Sequence, residues 1–249
     1  MSDYSQELLD CVQPYWEAEA AITAKFFNNA PSKEDHIYWL KAQLWKELHP
    51  VDGYFSGIQK ELYNLAEMFT QVDKTIDRHQ YSFLIQQMLE EFNHYVLFAD
   101  VLEFLTQEKI DIGKDTVQLP EEKKLQQIRH RYFTSGSPFD KAAVLFTEGG
   151  GAAMFREGAK IKGGKLEEMI ARAMQVIYDD EKDHFHEGAK DASALIKNAE
   201  DVETMKQTII AVSRQRVAMR LDMFRYPMSM EEAEAVIAKV QEDIKAKQA

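Results

Sequence analysis

Two short runs constrain this chain more than any others: Glu90-Glu91-Phe92-Asn93-His94 and Asp180-Glu181-Lys182-Asp183-His184. Each holds Glu-x-x-His directly after a second carboxylate. On a helix, positions i and i+3 share a face, so Glu91 and His94 point one way, as do Glu181 and His184. Both faces are apolar. Leu84, Met88, Glu91, Tyr95, Phe98, Leu102 and Leu105 recur at steps of three and four, and Ile170, Met174, Ile177, Glu181, His184, Ala192 and Leu195 repeat the pattern. A carboxylate on a core-facing stripe is costly unless something pairs with it. Two helices with one signature point to a shared metal. A competing register, Asp183-x-x-His186, falls with Asp179 and Lys190 on a polar face.

A Glu-x-x-His from each of two helices and one Glu from each of two others form the inward-facing ligand set of di-iron and di-manganese bundles. Two more buried glutamates should therefore lie about one helix, a turn and a return upstream of each motif. Glu61 stands 30 residues before Glu91, on the stripe Tyr54, Ile58, Glu61, Leu65, Met68. Its rival Glu67 keeps the company of Lys60, Asn64 and Gln71, a polar face. Glu148 stands 33 residues before Glu181, on the stripe Leu145, Glu148, Ala152, Phe155, Ala159.

With this pattern the chain resembles the ferritin-like di-iron carboxylate superfamily over roughly residues 51 to 198. The resemblance implies an all-α fold, a ferritin-like four-helix bundle with additional N- and C-terminal helices, in a single domain spanning 1–249. It implies two iron ions, or one manganese and one iron, held by Glu61, Glu91, His94, Glu148, Glu181 and His184. Glu90 and Asp180 match the family position whose carboxylate accepts a hydrogen bond from a ligating imidazole; a charged flank facing water is the plainer reading of both. The radical-storing tyrosine of the ribonucleotide reductase small subunit is Phe98 here, and its usual aspartate is Glu61, so a radical-generating subunit is not expected.

Charge supports two divalent ions, since four buried carboxylates and two such ions nearly cancel. Histidine with carboxylates and no sulfur ligand suits iron or manganese. At 249 residues, 45% apolar and 29% charged, the chain has enough apolar sequence for one large core. A net charge of −12 argues against nucleic acid or an anionic membrane as a partner. The single Cys11 excludes an internal disulfide and a rubredoxin-type module, and no long apolar run suggests a membrane span or a leader. A cytoplasmic location is expected.

Along the chain, helices are predicted over 4–29, interrupted or delayed by Pro14, and over 36–48, with Ser32 and Asp35 as a capping signal. Metal-bearing helices follow over 51–72, 80–107, 139–160 and 165–198, with an irregular link over 109–138 that contains a short helix at 121–133. Helices over 201–224 and 229–245 close the chain. Gly149-Gly150-Gly151 directly after Glu148 weakens the third metal helix by about 0.8 to 1 kcal/mol per glycine. It marks either close helix packing or an open wall beside the metals for dioxygen or substrate. Tyr95 and Tyr178 are either core aromatics or proton and electron donors beside that cavity. Arg214, Arg216, Arg220 and Arg225 form a basic stripe, read as a solvated face paired with acids or as a grip for a phosphorylated carrier.

The function expected from the resemblance is a di-iron oxidase or oxygenase that uses O2 and an external electron donor to oxidise a small organic substrate, with a homodimer as one assembly it could form. A ferroxidase of bacterioferritin type and a non-catalytic helical binding protein are the alternatives.

Overall fold

Residues 4–49, 78–181 and 192–248 are described here from a computed structural model, and among them every regular element is a helix. They divide into two units, one built from 1–39 with 119–249 and the other from 40–118. Among the described residues, no helix is long and apolar enough to cross a membrane.

The first unit is organised on two long helices, α1 (Ser5–Asn28) and α9 (Ala199–Met223). In chain order the remaining helices of the two units are α2 over 33–49, α3 (Arg78–Thr106), α4 (Ile112–Asp115), α5 (Pro120–Phe133), α6 (Pro138–Phe146), α7 (Gly149–Gly158), α8 (Lys165–Glu181) and α10 (Met230–Gln248), of which α3 and α4 belong to the second unit. α1 packs against α7, α9 and α10, while α9 also covers α5 and α6. With partners on several sides, α1 buries Leu8, Val12, Trp16, Glu19, Ile22 and Phe26 rather than one narrow stripe. It begins well before Pro14 and continues through it, so the proline does not delay the helix.

Local chemistry fixes the ends. Ser32 and Asp35 make the expected reciprocal cap, the Asp35 N–H donating to Ser32 Oγ at 3.2 Å and the Ser32 N–H to Asp35 Oδ2 at 3.0 Å. Asn198 caps α9, accepting from the Glu200 and Asp201 N–H groups at 2.9 and 3.0 Å. α5 starts on Pro120 at its first turn, where a missing N–H costs nothing.

The helix expected over 139–160 is not continuous. It breaks between Phe146 and Gly149 into α6 and α7, and the expected stripe breaks with it: Leu145, at 47% exposed, and Glu148 face solvent, while Ala152 and Phe155 are buried. The backbone tightens there to i→i+3 bonds, the Glu148 N–H donating to Leu145 O at 3.2 Å and that of Gly151 to Glu148 O at 2.8 Å. The Thr147 hydroxyl donates to Val144 O at 2.7 Å, and three glycines supply little helix propensity to resist the break.

Gly149 and Gly150 are where α7 meets α1. A Cβ on Gly149 would stand 2.5 Å from the Trp16 ring, and one on Gly150 would stand 1.9 Å from Glu19 Oε1. The space beside these glycines is filled by Trp16 and Glu19, while Gly151 has only ordinary contacts, with Phe155 and Arg216. Below this contact lies a buried charge cluster. Arg216 Nε donates to Glu19 Oε1 at 2.9 Å, and Arg220 Nε and Nη2 donate to Glu19 Oε2 at 3.1 and 2.9 Å. All three side chains are almost wholly buried.

In the second unit, Leu40, Ala42 and Leu44 of α2 and Phe98, Val101 and Leu102 of α3 are buried. The chain after α3 is tied back by polar contacts: Lys41 pairs with Asp115 at 2.9 Å, and the Val117 N–H donates to Lys41 O at 3.1 Å. α3 matches the helix expected over 80–107 closely. The helix expected over 51–72 lies outside the described residues. That expected over 165–198 is described as α8 and a helical turn over 192–195, the part between lying outside.

Burial alone would push the Glu19 carboxyl up, but the two guanidiniums outweigh it and hold it below its ordinary value of 4.5. A carboxyl lowered in the folded state contributes stability above its unfolded pKa, and that contribution is lost as pH falls through the folded value. Glu19→Gln leaves two buried guanidiniums without a counter-charge and should cost about 3 to 5 kcal/mol at neutral pH. Denaturant titrations should show this gap narrowing below the ordinary carboxyl range. Gly150→Ala should destabilise by about 1 to 3 kcal/mol in the same assay, because the added methyl displaces the Glu19 carboxylate.

Candidate metal centre

α2 carries Leu40, Gln43, Leu44 and Glu47 at i, i+3, i+4 and i+7, and all four are buried. Glu47 thus continues an apolar stripe rather than standing on a polar face. On α3, Glu91 and His94 share a face, as their spacing requires. The three meet within the second unit. His94 Nδ1 stands 3.8 Å from Glu47 Oε2 and 3.9 Å from Glu91 Oε2. One ligand atom from each residue lies within 4.8 Å of the other two.

These distances suit one small cation. Two ligand atoms each bound at about 2.1 Å to a shared ion stand roughly 3 to 4.2 Å apart, so both histidine–carboxylate separations already fall in that range. The donors are oxygen and nitrogen only, which suits iron, manganese or zinc rather than copper(I). Glu47, Glu91 and His94 therefore form a group that could hold a metal ion, and three protein ligands leave coordination positions open.

Burial is graded across the site. The side chains of His94 and Glu47 are 2% and 7% exposed, against 24% for Glu91. The site is therefore closed around the imidazole and reaches solvent beside Glu91. Gln43, one turn before Glu47, is buried and donates from Nε2 to Glu47 Oε1, while its own Oε1 has no hydrogen-bond partner among the described residues. The donated bond fixes the Glu47 carboxylate so that its other oxygen faces His94.

The remaining expected site residues fall elsewhere. Glu61 and His184 lie outside the described residues. Glu148 belongs to the first unit, where it precedes α7, is half-exposed and is ion-paired with Arg129 of α5. Glu181 and Asp180 end α8 of the same unit and are partly buried. Glu90 accepts a hydrogen bond from Gln86 Nε2 at 2.8 Å, on an exposed part of α3. Tyr95 is half-buried, and burial pushes its phenol up, with the Glu103 and Asp115 carboxylates adding to the effect. Tyr178 is half-buried on α8.

The four arginines do not form one stripe. Arg216 and Arg220 turn inward to Glu19, and Arg225 pairs with Asp35 at 2.8 Å and lies 5.2 Å over the Tyr38 ring. Only Arg214 is left facing outward without an ion pair among the described residues.

Glu47 lies outside the expected ligand set because a fixed helix-turn-helix interval upstream of Glu91 selects Glu61 instead. The signal was present in α2: a glutamate seven residues after Leu40 and three after Leu44 sits on a buried face as clearly as Glu91 does. Compared with models of protein families, with curated proteins and with solved structures, the chain matches none.

Proposed function

We propose that this protein is a metal-dependent oxidoreductase whose ion, iron or manganese, is held by Glu47, Glu91 and His94. The convergence of two carboxylates and one imidazole from α2 and α3, with His94 Nδ1 within 4 Å of both carboxylates, carries this reading. When bound, such an ion supplies a redox-active site at which dioxygen can be activated toward a small organic substrate.

The residues divide the work. Glu47 and Glu91 bring the negative charge that favours a divalent cation. His94, the most buried of the three, supplies the neutral nitrogen donor and anchors the site to α3. Gln43 holds the Glu47 carboxylate in one orientation. The partly exposed Glu91 marks the side from which a small molecule enters. Electrons come from a separate donor in this reading. A two-ion form rests on the six-residue sequence pattern, whose members Glu61 and His184 lie outside the described residues.

The test is metal content per chain after anaerobic purification and ferrous or manganous loading. Wild type should bind at least one ion, and His94→Ala and Glu47→Ala should lose it while keeping wild-type helicity by circular dichroism. Glu148→Ala separates the two stoichiometries: one ion that survives this substitution confines the centre to Glu47, Glu91 and His94, whereas loss of a second ion supports the six-residue set. Reduced iron-loaded protein should consume oxygen, and the His94→Ala variant should not. No transition metal in the wild type after loading would end the proposal.

Gln43→Leu gives a subtler check. A group that orients a metal-ligating carboxylate typically accounts for 10- to 100-fold in affinity, so the dissociation constant should rise by about that factor. The metal-free variant should melt below the wild-type temperature, because the buried Glu47 carboxylate loses the hydrogen bond that Gln43 Nε2 donates.

A further inference from the structure

In the first unit, α10 packs along α1 but makes little contact with α9, and a groove of about 500 Å³ lies between them with the buried Tyr15 of α1 beneath it. Small-molecule sites typically enclose roughly 300 to 1,000 Å³. The space has a sequence origin. α9 turns Ala211, Arg214 and Ala218 toward it at i, i+3 and i+7, and α10 answers with Ala238, so methyl groups stand where larger side chains would have closed the two helices together.

Its polar groups are few and well separated in role. Arg214 lines the groove together with Tyr15, whose hydroxyl feels its positive charge, and takes part in no ion pair among the described residues, unlike Arg216, Arg220 and Arg225. Glu234 of α10 lines the same groove.

We propose that this groove is a binding site for a small monocarboxylate with a compact apolar body, its carboxylate held by Arg214 and its body lying against Ala218 and Ile237. A guanidinium offers a planar fork of N–H donors that matches a carboxylate, and this one has no acidic partner to displace. The Tyr15 hydroxyl gives the ligand a second polar contact at the base of the groove. Glu234 restricts the choice, because a second negative charge on the ligand would be repelled. Dicarboxylates and phosphate esters are thereby disfavoured. The site is separate from Glu47, Glu91 and His94, and neither depends on the other.

Calorimetric titration of the full chain with 3-phenylpropionate tests this, using wild type, Arg214→Met, Ala218→Phe and Glu234→Gln, each first checked for an unchanged melting temperature. Wild type should bind with a dissociation constant in the millimolar range or tighter, and neutral 3-phenylpropionamide at least about tenfold more weakly. Arg214→Met should lose at least about tenfold by removing the charge, Ala218→Phe should lose as much by filling the groove, and Glu234→Gln should bind more tightly. If wild type gives no saturable heat, or if Arg214→Met binds as tightly as wild type, the assignment is wrong. Because Arg214 lies on the surface of α9, its substitution leaves the test intact even if Ala218→Phe fails to fold.

Discussion

An ionised carboxylate can remain in a protein interior only where positive charge is supplied at close range, and this chain meets that constraint twice in different ways. Around Glu19 the protein supplies more than enough: two guanidiniums converge on its two oxygens, and every contact is made by the chain itself. Around His94 the arrangement differs, since Glu47 and Glu91 both approach the same ring nitrogen. The first arrangement is closed and needs nothing else. The second offers oxygen and nitrogen donors that a divalent cation could use. Burial does not separate the two, because Glu19 and Glu47 are both buried.

Much of the helical layout was legible in the residues. The Ser32 and Asp35 cap, the period of Leu84 to Leu105 and Pro120 all report local backbone chemistry, which a single sequence carries directly. Glu91 and His94 were legible for the same reason: an i, i+3 pair on an apolar stripe is a local fact. Glu47 required knowing which helix faces α3, and that is decided by packing between elements. Glu148 is half-exposed rather than on a continuous buried stripe, because a side-chain hydroxyl at Thr147 and three glycines end one helix and start another. Periodicity cannot see such a break, since the residues on either side remain apolar.

The glycine run and the arginine stripe, read separately in the sequence, turn out to be two sides of one contact. Gly150 has no side chain because the Glu19 carboxylate occupies that space, and the carboxylate is there because Arg216 and Arg220 draw it in. What resembled a clearing for a ligand on α7 and a docking face on α9 is a packed ion cluster. Arg214, two residues before the inward-facing Arg216, points outward because its place on the turn of α9 directs it to the groove shared with α10.

The partners in this cluster are 197 and 201 residues apart in the chain. On a ribosome, α1 therefore emerges with Glu19 and Trp16 uncovered long before α9 exists to receive them. At elongation rates of about 5 to 20 residues per second the interval is on the order of 10 to 40 seconds. An ionised Glu19 keeps the nascent α1 hydrated during that time, while the adjacent Trp16, Ile22 and Phe26 stand exposed. The first unit closes only when its last third has been synthesised, so its assembly is set by the order of translation as much as by the contacts it finally makes.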